Sequence, residues 1–144
     1  MDYLLDTNHW SYLQRRHPHV VARVESLPEE TTLYMPVIAQ AELLAGIELA
    51  ASLSRREELR ILYEQVVAQA TDVLSVTSEV AEGFARIFAR LKRKGTPIGT
   101  NDMWIAAIAM THGLVLVTNN DHFRYVDGLP IEDWTKPMEK DRPA

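Results

Sequence analysis

Four acidic positions stand where a carboxylate could do chemistry. Asp6 directly follows a short apolar run near the N-terminus, which is typical of a buried strand. Glu42 lies inside an apolar helical stretch, and Asp102 comes just before another one. Asp121 follows a second apolar run, at residues 114–118. If the fold gathers these oxygens, they form the kind of ligand set that Mg²⁺ or Mn²⁺ prefers.

Each of these carboxylates also has an ordinary structural explanation. Asp6 could cap the following helix, and Asp102 could offset a helix dipole. Asp121 or its neighbour Asn120 could simply form a polar turn. Glu42 is harder to explain, because helical spacing places it on an apolar stripe, where an ionised side chain normally needs a cation. The ordinary explanation is a stripe that is less buried than it looks, with Glu42 at its margin. The stripe comprises Ile38, Ala41, Ala45, Gly46 and Leu49. Together the four positions favour a metal site more than any one of them does.

Strands and helices alternate along the chain, which predicts an α/β fold with a parallel sheet covered on both sides by helices. The strand candidates are residues 3–5, 31–35, 72–76, 114–118 and 129–134. The long helix candidates are residues 37–52, 54–70, 78–94 and 102–112, the last capped by Thr100-Asn101. Open α/β sheets bind ligands at the carboxyl ends of their strands, so Asp6 and Asp121 are expected to meet there.

Length and composition fit one domain, predicted over residues 1–135, with residues 136–144 as a C-terminal tail. The 144 residues are 47% hydrophobic and 24% charged, which argues against disorder. Cysteine is absent, which excludes thiolate metal sites and suits a reducing cytoplasm. No apolar run is long enough to span a bilayer, so no membrane partner is expected. A net charge of −5 argues against a broadly basic nucleic-acid surface.

Four motifs, taken in order, resemble those of PIN-domain ribonucleases, and most closely those of the VapC toxins of bacterial and archaeal toxin–antitoxin pairs. The motifs are Leu4-Leu5-Asp6-Thr7-Asn8, Ala41-Glu42-Leu43-Leu44-Ala45-Gly46, Asn101-Asp102-Met103-Trp104-Ile105-Ala106-Ala107 and Leu116-Val117-Thr118-Asn119-Asn120-Asp121-His122-Phe123. This resemblance covers essentially the whole chain. It implies a PIN-like, three-layer α/β/α fold with a central, mostly parallel sheet of about four to five strands.

The resemblance also implies roles for the acidic residues. Asp6, Glu42 and Asp102 would hold Mg²⁺ or Mn²⁺, with Glu42 alternatively acting as the base that orients the attacking water. The fourth acidic position of the family falls on Asn120, one residue before Asp121, so Asp121 is kept as a fourth catalytic candidate. The candidates for hydrogen bonds that support the ligands are Thr7, Asn8, Thr118 and Asn120.

The activity that the resemblance implies is metal-dependent hydrolysis of RNA phosphodiester bonds by a toxin that inhibits translation and growth until an antitoxin neutralises it. RNA, a VapB-like antitoxin and a second copy of the chain are the expected partners. Basic residues cluster just before Asp102 and are expected to contact RNA: Arg86, Arg90, Lys92, Arg93 and Lys94. Candidates for an antitoxin groove or a dimer contact, which core packing also explains, are Leu59, Ile61, Leu62 and Val66.

Two other functions fit the same residues. A PIN-like nuclease could act on a housekeeping RNA or DNA, and a non-catalytic binding module could have lost its activity with the change to Asn120. A neighbouring antitoxin gene would distinguish a toxin from a housekeeping nuclease. Mg²⁺-dependent RNA cleavage that is lost in Asp6→Asn or Asp102→Asn would distinguish an enzyme from a binding module.

Overall fold

The central element of the fold is a sheet of five parallel strands in the order β3-β2-β1-β4-β5. It is seen in a computed structural model that describes residues 1–138, so residues 139–144 of the predicted tail lie outside the described residues. The strands are β1 (Asp2–Leu5), β2 (Thr32–Pro36), β3 (Asp72–Leu74), β4 (Val115–Val117) and β5 (Ile131–Glu132). The predicted α/β fold with a mostly parallel sheet is confirmed.

Six α-helices and one short 3₁₀ helix (Asp121–Tyr125) connect the strands within residues 1–138. The helices are α1 (Thr7–Gln14), α2 (Pro18–Ser26), α3 (Val37–Glu48), α4 (Leu53–Val67), α5 (Ser78–Lys94) and α6 (Thr100–His112). In this part of the chain, no helix combines the length and the apolar composition that crossing a membrane requires.

Two hydrophobic cores, one on each face of the sheet, give the fold its three layers. Side chains alternate along a strand, so Leu4 points to one face of β1 and Leu5 to the other. Leu4 packs in the core formed with α5 and α6, which includes Val80 and Ile108. Leu5 packs in the core formed with the remaining helices, which includes Trp10 of α1. Both faces of β1 are therefore buried, and the strand is held firmly in the centre of the molecule.

The chain changes direction across the sheet at the boundary between β1 and β4. It passes from β1 to β2 and β3 on one side and returns to place β4 and β5 on the other. The backbone N–H of Asp6 continues this pairing by donating to the carbonyl of Val117 at 3.0 Å. Ligands of open α/β sheets bind at such a switch point, beyond the carboxyl ends of the strands. The residues that follow β1 and β4 therefore lie where such sheets bind their ligands.

The helical hairpin of α5 and α6 brings Asp102 to the same edge. Helix α5 is capped by Thr77, whose hydroxyl accepts from the N–H of Val80 at 3.2 Å. It ends at Gly95, which has φ +72°, a left-handed conformation that glycine adopts without steric cost. Helix α6 begins at Thr100 with Gly99 as its N-cap, so the expected cap by Thr100-Asn101 is wrong. Asp102 accordingly lies in the first turn, where its charge complements the helix dipole.

Candidate active site

Asp6 is held at the carboxyl end of β1 by three hydrogen bonds. Its Oδ1 accepts from the backbone N–H of His9 at 2.9 Å, which caps α1, and lies 3.1 Å from Nδ1 of the same histidine. Its Oδ2 accepts from the hydroxyl of Thr118 at 2.6 Å. An ionised carboxylate oxygen accepts two hydrogen bonds. The backbone N–H and Nδ1 of His9 occupy Oδ1, whereas Thr118 takes only one position on Oδ2, so Oδ2 keeps one free acceptor position. Asp6 is therefore a helix cap and a candidate ligand at once.

Thr118 and Asn120 connect Asp6 to Asp102. The hydroxyl of Thr118 accepts from the backbone N–H of Asn120 at 3.0 Å while it donates to Asp6. The side-chain NH₂ of Asn120 donates to Asp102 Oδ2 at 3.3 Å, and its side-chain oxygen accepts from the N–H of His122 at 3.0 Å. This oxygen must face the backbone donor, so the NH₂ group faces Asp102. An aspartate at position 120 could not make this donation.

Glu42 reaches the site from α3 with an exposed side chain. Its Oε1 accepts from the hydroxyl of Thr7, the first residue of α1, at 2.6 Å. Its apolar stripe is less buried than the helical spacing indicates, because residues 41, 45 and 46 are exposed and Leu49 is 83% exposed. The buried residues of α3 are instead Ala39 and Ile47. Since this helix is apolar on nearly every side, its period does not reveal which face the protein covers.

The structure leaves two predicted site residues away from the three carboxylates. Asp121 begins the 3₁₀ helix with a side chain that is 88% exposed and pairs with Arg124, with 3.3 Å between Oδ1 and Nε. Asn120, and not Asp121, is the neighbour of Asp102. Asn8 is exposed, and within residues 1–138 it forms no side-chain hydrogen bond with any of the three carboxylates.

The three carboxylates are close enough to influence one another. The pKa of Asp102 is raised above its ordinary value, first because partial burial disfavours the charged form. The negative charges of Asp6 and Glu42 raise it further, while His122 acts in the opposite direction. Asp6 after β1, Glu42 of α3 and Asp102 of α6 therefore form a cluster of mutually repelling acids.

The chemistry of this cluster suits a hard divalent cation. Its donors are oxygens, and a positive charge would relieve the repulsion that raises the pKa of Asp102. Among the hydrogen bonds of residues 1–138, Oδ1 of Asp102 and Oε2 of Glu42 have no partner. In the same residues, no group of three or more His, Asp or Glu side chains lies close enough together to hold a metal ion as the side chains stand. The side chains thus fit a cation by charge and donor type and do not form a complete coordination shell.

The basic residues of α5 divide into two groups. Arg86, Arg90 and Lys94 recur every four residues and line a cleft of ≈260 Å³ between α5, the last turns of α6 and residues 125–127. Lys94 pairs with Asp127 at 3.2 Å and donates to the carbonyl of Tyr125 at 2.9 Å. Of the second group, Lys92 lies over the ring of Phe88, 5.8 Å from its centroid, and Arg93 is exposed.

His9 is part of the site and was not predicted from the sequence. It is fully buried, and both ring nitrogens have neighbours: Asp6 at Nδ1 and the backbone N–H of Trp134 at Nε2. Its spacing of three residues after Asp6, on the side of α1 that also carries the apolar Trp10 and Leu13, is the one sequence signal that could have identified it.

Comparison with known proteins agrees with this geometry. The model of the PIN domain family matches residues 3–129. Ribonuclease VapC1 of Haemophilus influenzae (strain R2866) is 35% identical over 138 residues, which are 94% of this chain and 100% of the relative. The tRNA(fMet)-specific endonuclease VapC of Salmonella typhimurium is 33% identical over 135 residues, 93% of this chain and 98% of the relative.

A solved structure shows the same relationship in three dimensions. VapBC-1 from nontypeable Haemophilus influenzae superposes with a TM-score of 0.83 and 33% identity, over 94% of this chain and 100% of that chain. The chain therefore belongs to the PIN-domain family. It is a ribonuclease, an enzyme that hydrolyses phosphodiester bonds, and nucleases of this family generally depend on a divalent metal ion.

Proposed function

We propose that this chain is the toxin of a type II toxin–antitoxin pair, an endoribonuclease that uses Mg²⁺ or Mn²⁺ and inhibits translation until an antitoxin neutralises it. The observation that carries the proposal is the convergence of Asp6, Glu42 and Asp102 from three separate elements, close enough that the first two raise the pKa of the third. A cluster of like charges costs free energy unless a cation compensates it. The membership of the chain among VapC-like ribonucleases supports the same function.

In this proposal Asp6, Glu42 and Asp102 hold the cation, and hydrogen bonds orient these carboxylates. Thr118 orients Asp6, and Thr7 orients Glu42, each across 2.6 Å. Such supporting partners commonly account for a 10–100-fold effect on metal affinity or activity. A bound divalent cation would stabilise charge on the scissile phosphate and lower the pKa of a water molecule. The remaining Oε2 of Glu42 can accept the proton of an attacking water, because it is exposed and has no other partner among residues 1–138.

Asn120 supports an intact site and argues against a decayed one. Its NH₂ group donates to Asp102, and its backbone N–H donates to Thr118. An amide in this place orients one ligand without adding a fourth negative charge to the cluster. We therefore assign the fourth position of the site to Asn120 and leave Asp121 outside it.

The family supports RNA as the substrate, and the basic cleft of α5 offers positive charge for its phosphates. Arg86, Arg90 and Lys94 line that cleft, which runs to the last turns of α6. Asp102 lies in the first turn, about 12 Å away along the axis at ~1.5 Å per residue. We infer that the phosphates flanking the cut contact this stripe. Exposed Arg93, and Lys92 in a separate cleft with Phe88 and Thr100, are further candidates for RNA contacts. For Arg90→Gln, we expect weaker RNA binding in binding assays, because about one phosphate contact is lost. The slope of log binding constant against log salt concentration should decrease in magnitude by about one.

A protein partner is supported by the apolar surface beside Glu42. Leu49 and Leu53 are 83% and 81% exposed at the junction of α3 and α4, and Ile61 is 49% exposed on α4. Leu53 and Ile61 line one cleft whose other residues, such as Arg56 and Glu57, are charged, and exposed apolar side chains with a polar rim commonly mark interaction sites. Of the predicted groove residues, Val66 is core instead, being 1% exposed. We infer a VapB-like antitoxin and a second copy of the chain as partners, in the cytoplasm where cellular RNA lies.

Light scattering during gel filtration tests the partner assignments. The chain alone is expected at the mass of a homodimer, and co-expression with the product of a neighbouring small gene is expected to give a complex without ribonuclease activity. A monomer at micromolar concentration would contradict the dimer. A complex that still cleaves RNA would contradict neutralisation by that partner.

The decisive experiment for the activity is RNA cleavage by the purified chain in EDTA, Mg²⁺, Mn²⁺ and Ca²⁺, with cleaved ends mapped by sequencing. Cleavage is expected with Mg²⁺ or Mn²⁺ and not with EDTA. Asp6→Asn, prepared identically, controls for contaminating nucleases and is expected to be inactive. Asp121→Asn is the matched active control, because Asp121 lies outside the site. Absence of cleavage by the unmodified chain with either cation would overturn the enzyme assignment.

A further inference from the structure

His9 is enclosed between the candidate ligand Asp6 and the segment that follows the last strand. Its side chain has no solvent exposure. Nδ1 lies 3.1 Å from Asp6 Oδ1, and Nε2 lies 3.2 Å from the backbone nitrogen of Trp134. The ring of Tyr12 packs edge-on against the imidazole, with 5.5 Å between centroids. A buried imidazole with a partner at each nitrogen is a connection between two parts of the fold.

The two partners determine which nitrogen carries the proton. A backbone N–H can only donate, so Nε2 must offer its lone pair to Trp134. In the neutral ring the proton then resides on Nδ1, where it is donated to the carboxylate of Asp6. Asp133 does not compete for Nε2: it lies 3.9 Å away, and its Oδ1 accepts from the N–H and the hydroxyl of Thr135 at 2.8 and 2.6 Å.

The partner at Nε2 is itself firmly held. Trp134 is 3% exposed, and its indole N–H donates to Glu132 Oε1 at 3.0 Å. Its ring meets Tyr3 of β1 edge-on at 5.0 Å. Arg23 of α2 donates to the same oxygen of Glu132 at 3.2 Å and lies over the indole ring at 5.7 Å. His9 is thus anchored to a packed corner of the molecule, and this anchorage is transmitted to Asp6.

We propose that His9 is a positioning residue that fixes the carboxylate of Asp6 for cation binding, through an Nδ1–H donated to Oδ1 and an Nε2 anchored on the backbone of Trp134. This inference rests on the proposed cation site at Asp6. With His9 on one carboxylate oxygen and Thr118 on the other, the carboxylate plane of Asp6 cannot rotate without breaking a buried hydrogen bond. The free acceptor position of Oδ2 is therefore kept in one direction before any cation arrives.

Two substitutions separate the two bonds of His9. In His9→Asn, the shorter amide reaches only the position of Nδ1, so its NH₂ can still donate to Asp6 but nothing reaches Trp134. In His9→Gln, the longer amide reaches the position of Nε2, where its oxygen can accept from Trp134 but leaves Oδ1 without the side-chain donor. Both variants lose one buried hydrogen bond, so a merely structural role predicts similar losses of stability and similar effects on cation binding.

The proposed role is tested by the affinity for Mn²⁺ alone. Metal-free protein is titrated with Mn²⁺, and binding is monitored by calorimetry and by electron paramagnetic resonance. We expect about 10–100-fold weaker Mn²⁺ binding for His9→Gln and less than about tenfold for His9→Asn. Melting temperatures in EDTA should fall for both variants. Val80→Ala, a buried truncation on the opposite face of the sheet, supplies a destabilised control that is expected to bind Mn²⁺ normally.

The outcomes distinguish this inference from the proposed function. If the unmodified chain binds Mn²⁺ and cleaves RNA but His9→Gln binds Mn²⁺ as tightly as His9→Asn, the positioning role is wrong and the ribonuclease stands. If the unmodified chain binds Mn²⁺ without cleaving RNA and only His9→Gln loses affinity, the positioning role stands and the nuclease assignment fails. Absence of Mn²⁺ binding by the unmodified chain overturns both.

An NMR measurement locates the imidazole proton of His9 independently of cation binding. Long-range ¹H–¹⁵N correlation spectra of the folded protein are expected to show His9 with a protonated Nδ1 and an unprotonated Nε2. The opposite tautomer would overturn the proposed hydrogen-bond direction, because Nδ1 would then have no proton to donate to Asp6.

Discussion

The site has a buried half and an exposed half, and they are built differently. Asp6 is 5% exposed, lies at the end of a central strand and receives three hydrogen bonds from two elements. Glu42 is exposed, lies on a helix whose outer face is apolar, and receives one hydrogen bond, from Thr7. Asp102 lies between the halves, with one bond from Asn120 and a raised pKa.

This difference shows where the site is rigid and where it can adapt. A carboxylate with donors on both oxygens in the core has one available orientation, so it can define the position of a cation. A single bond at the surface leaves Glu42 free to turn when a cation, water or substrate arrives.

Removal of the charge at the rigid half is expected to have the largest effect. Asp6→Asn keeps an oxygen that can cap α1, so the fold should persist, but the negative charge that attracts a cation is lost. We expect RNA cleavage to fall to below about one hundredth, more than the loss of a supporting residue causes. Cleavage rates and melting curves check this. A variant with more than about a tenth of normal activity would show that Asp6 is a helix cap only.

The hydroxyls of Thr118 and Thr7, which orient Asp6 and Glu42, allow a matched pair of substitutions. Thr118→Val leaves buried groups of Asp6 and Asn120 without partners, so cleavage should fall about 10–100-fold, with a loss of about 1–3 kcal/mol in stability. Thr7→Val acts on exposed Glu42, where water can replace the lost donor, so cleavage should fall less than about tenfold. Both are measured by cleavage kinetics and urea denaturation. Equal effects at the two positions would contradict the rigid–adaptable distinction.

The carboxylate between the halves should reveal itself in the pH dependence of stability. A raised pKa means that folded Asp102 binds its proton more tightly than unfolded Asp102 does. Ionised Asp102 therefore costs stability above its folded pKa, and the cost disappears as the pH falls through that pKa. In EDTA, Asp102→Asn should be more stable than the unmodified chain at neutral pH, with a difference that shrinks on acidification. Urea denaturation over that pH range measures the sign of this stability difference. A variant that is less stable than the unmodified chain at every pH would contradict the prediction.

A smaller effect is expected from a change of one charge beside Asp102. Asn120→Asp replaces a donor with a like charge, so the metal-free protein should melt at a lower temperature, while the rise in melting temperature on adding Mn²⁺ should be larger. Asp121→Asn, one residue further on, should leave both measurements unchanged, because that side chain points to solvent. Thermal melts with and without Mn²⁺ compare the two. A response at Asp121 and none at Asn120 would reverse our assignment of the fourth position.

Much of this molecule follows from local sequence. The apolar run and the Asp6 that follows it predict a buried strand and a cap, and in the structure β1 ends at Leu5 and Asp6 caps α1. Thr77 and Gly113 flank the predicted helices 78–94 and 102–112 as their caps, because hydroxyl caps and left-handed glycines act within a single turn. The alternation of strands and helices likewise predicts the parallel sheet, whose switch point then lies at Asp6.

Other features depended on which elements pack together. Helix α3 is apolar on nearly all sides, so only its docking decides that Ala39 and Ile47 are buried and Glu42 is exposed. The choice between Asn120 and Asp121 depended on the 3₁₀ helix, in which Asn120 accepts from the N–H of His122 and Asp121 turns outward. The first result depends on contacts between segments distant in the chain, and the second on the contact of Asn120 with Asp102 of α6, 18 residues away.

The sequence by itself thus determined the acids, the strand and helices next to which or on which they lie, and the family to which the chain belongs. The tertiary structure decided how each acid is held. Asp6 and Thr118 are 112 residues apart, and His9 and Trp134 are 125 residues apart, yet their hydrogen bonds define the rigid half of the site. Such bonds form only when β4 and the segment after β5 dock beside β1, and this is why the role of His9 became visible only in the folded protein.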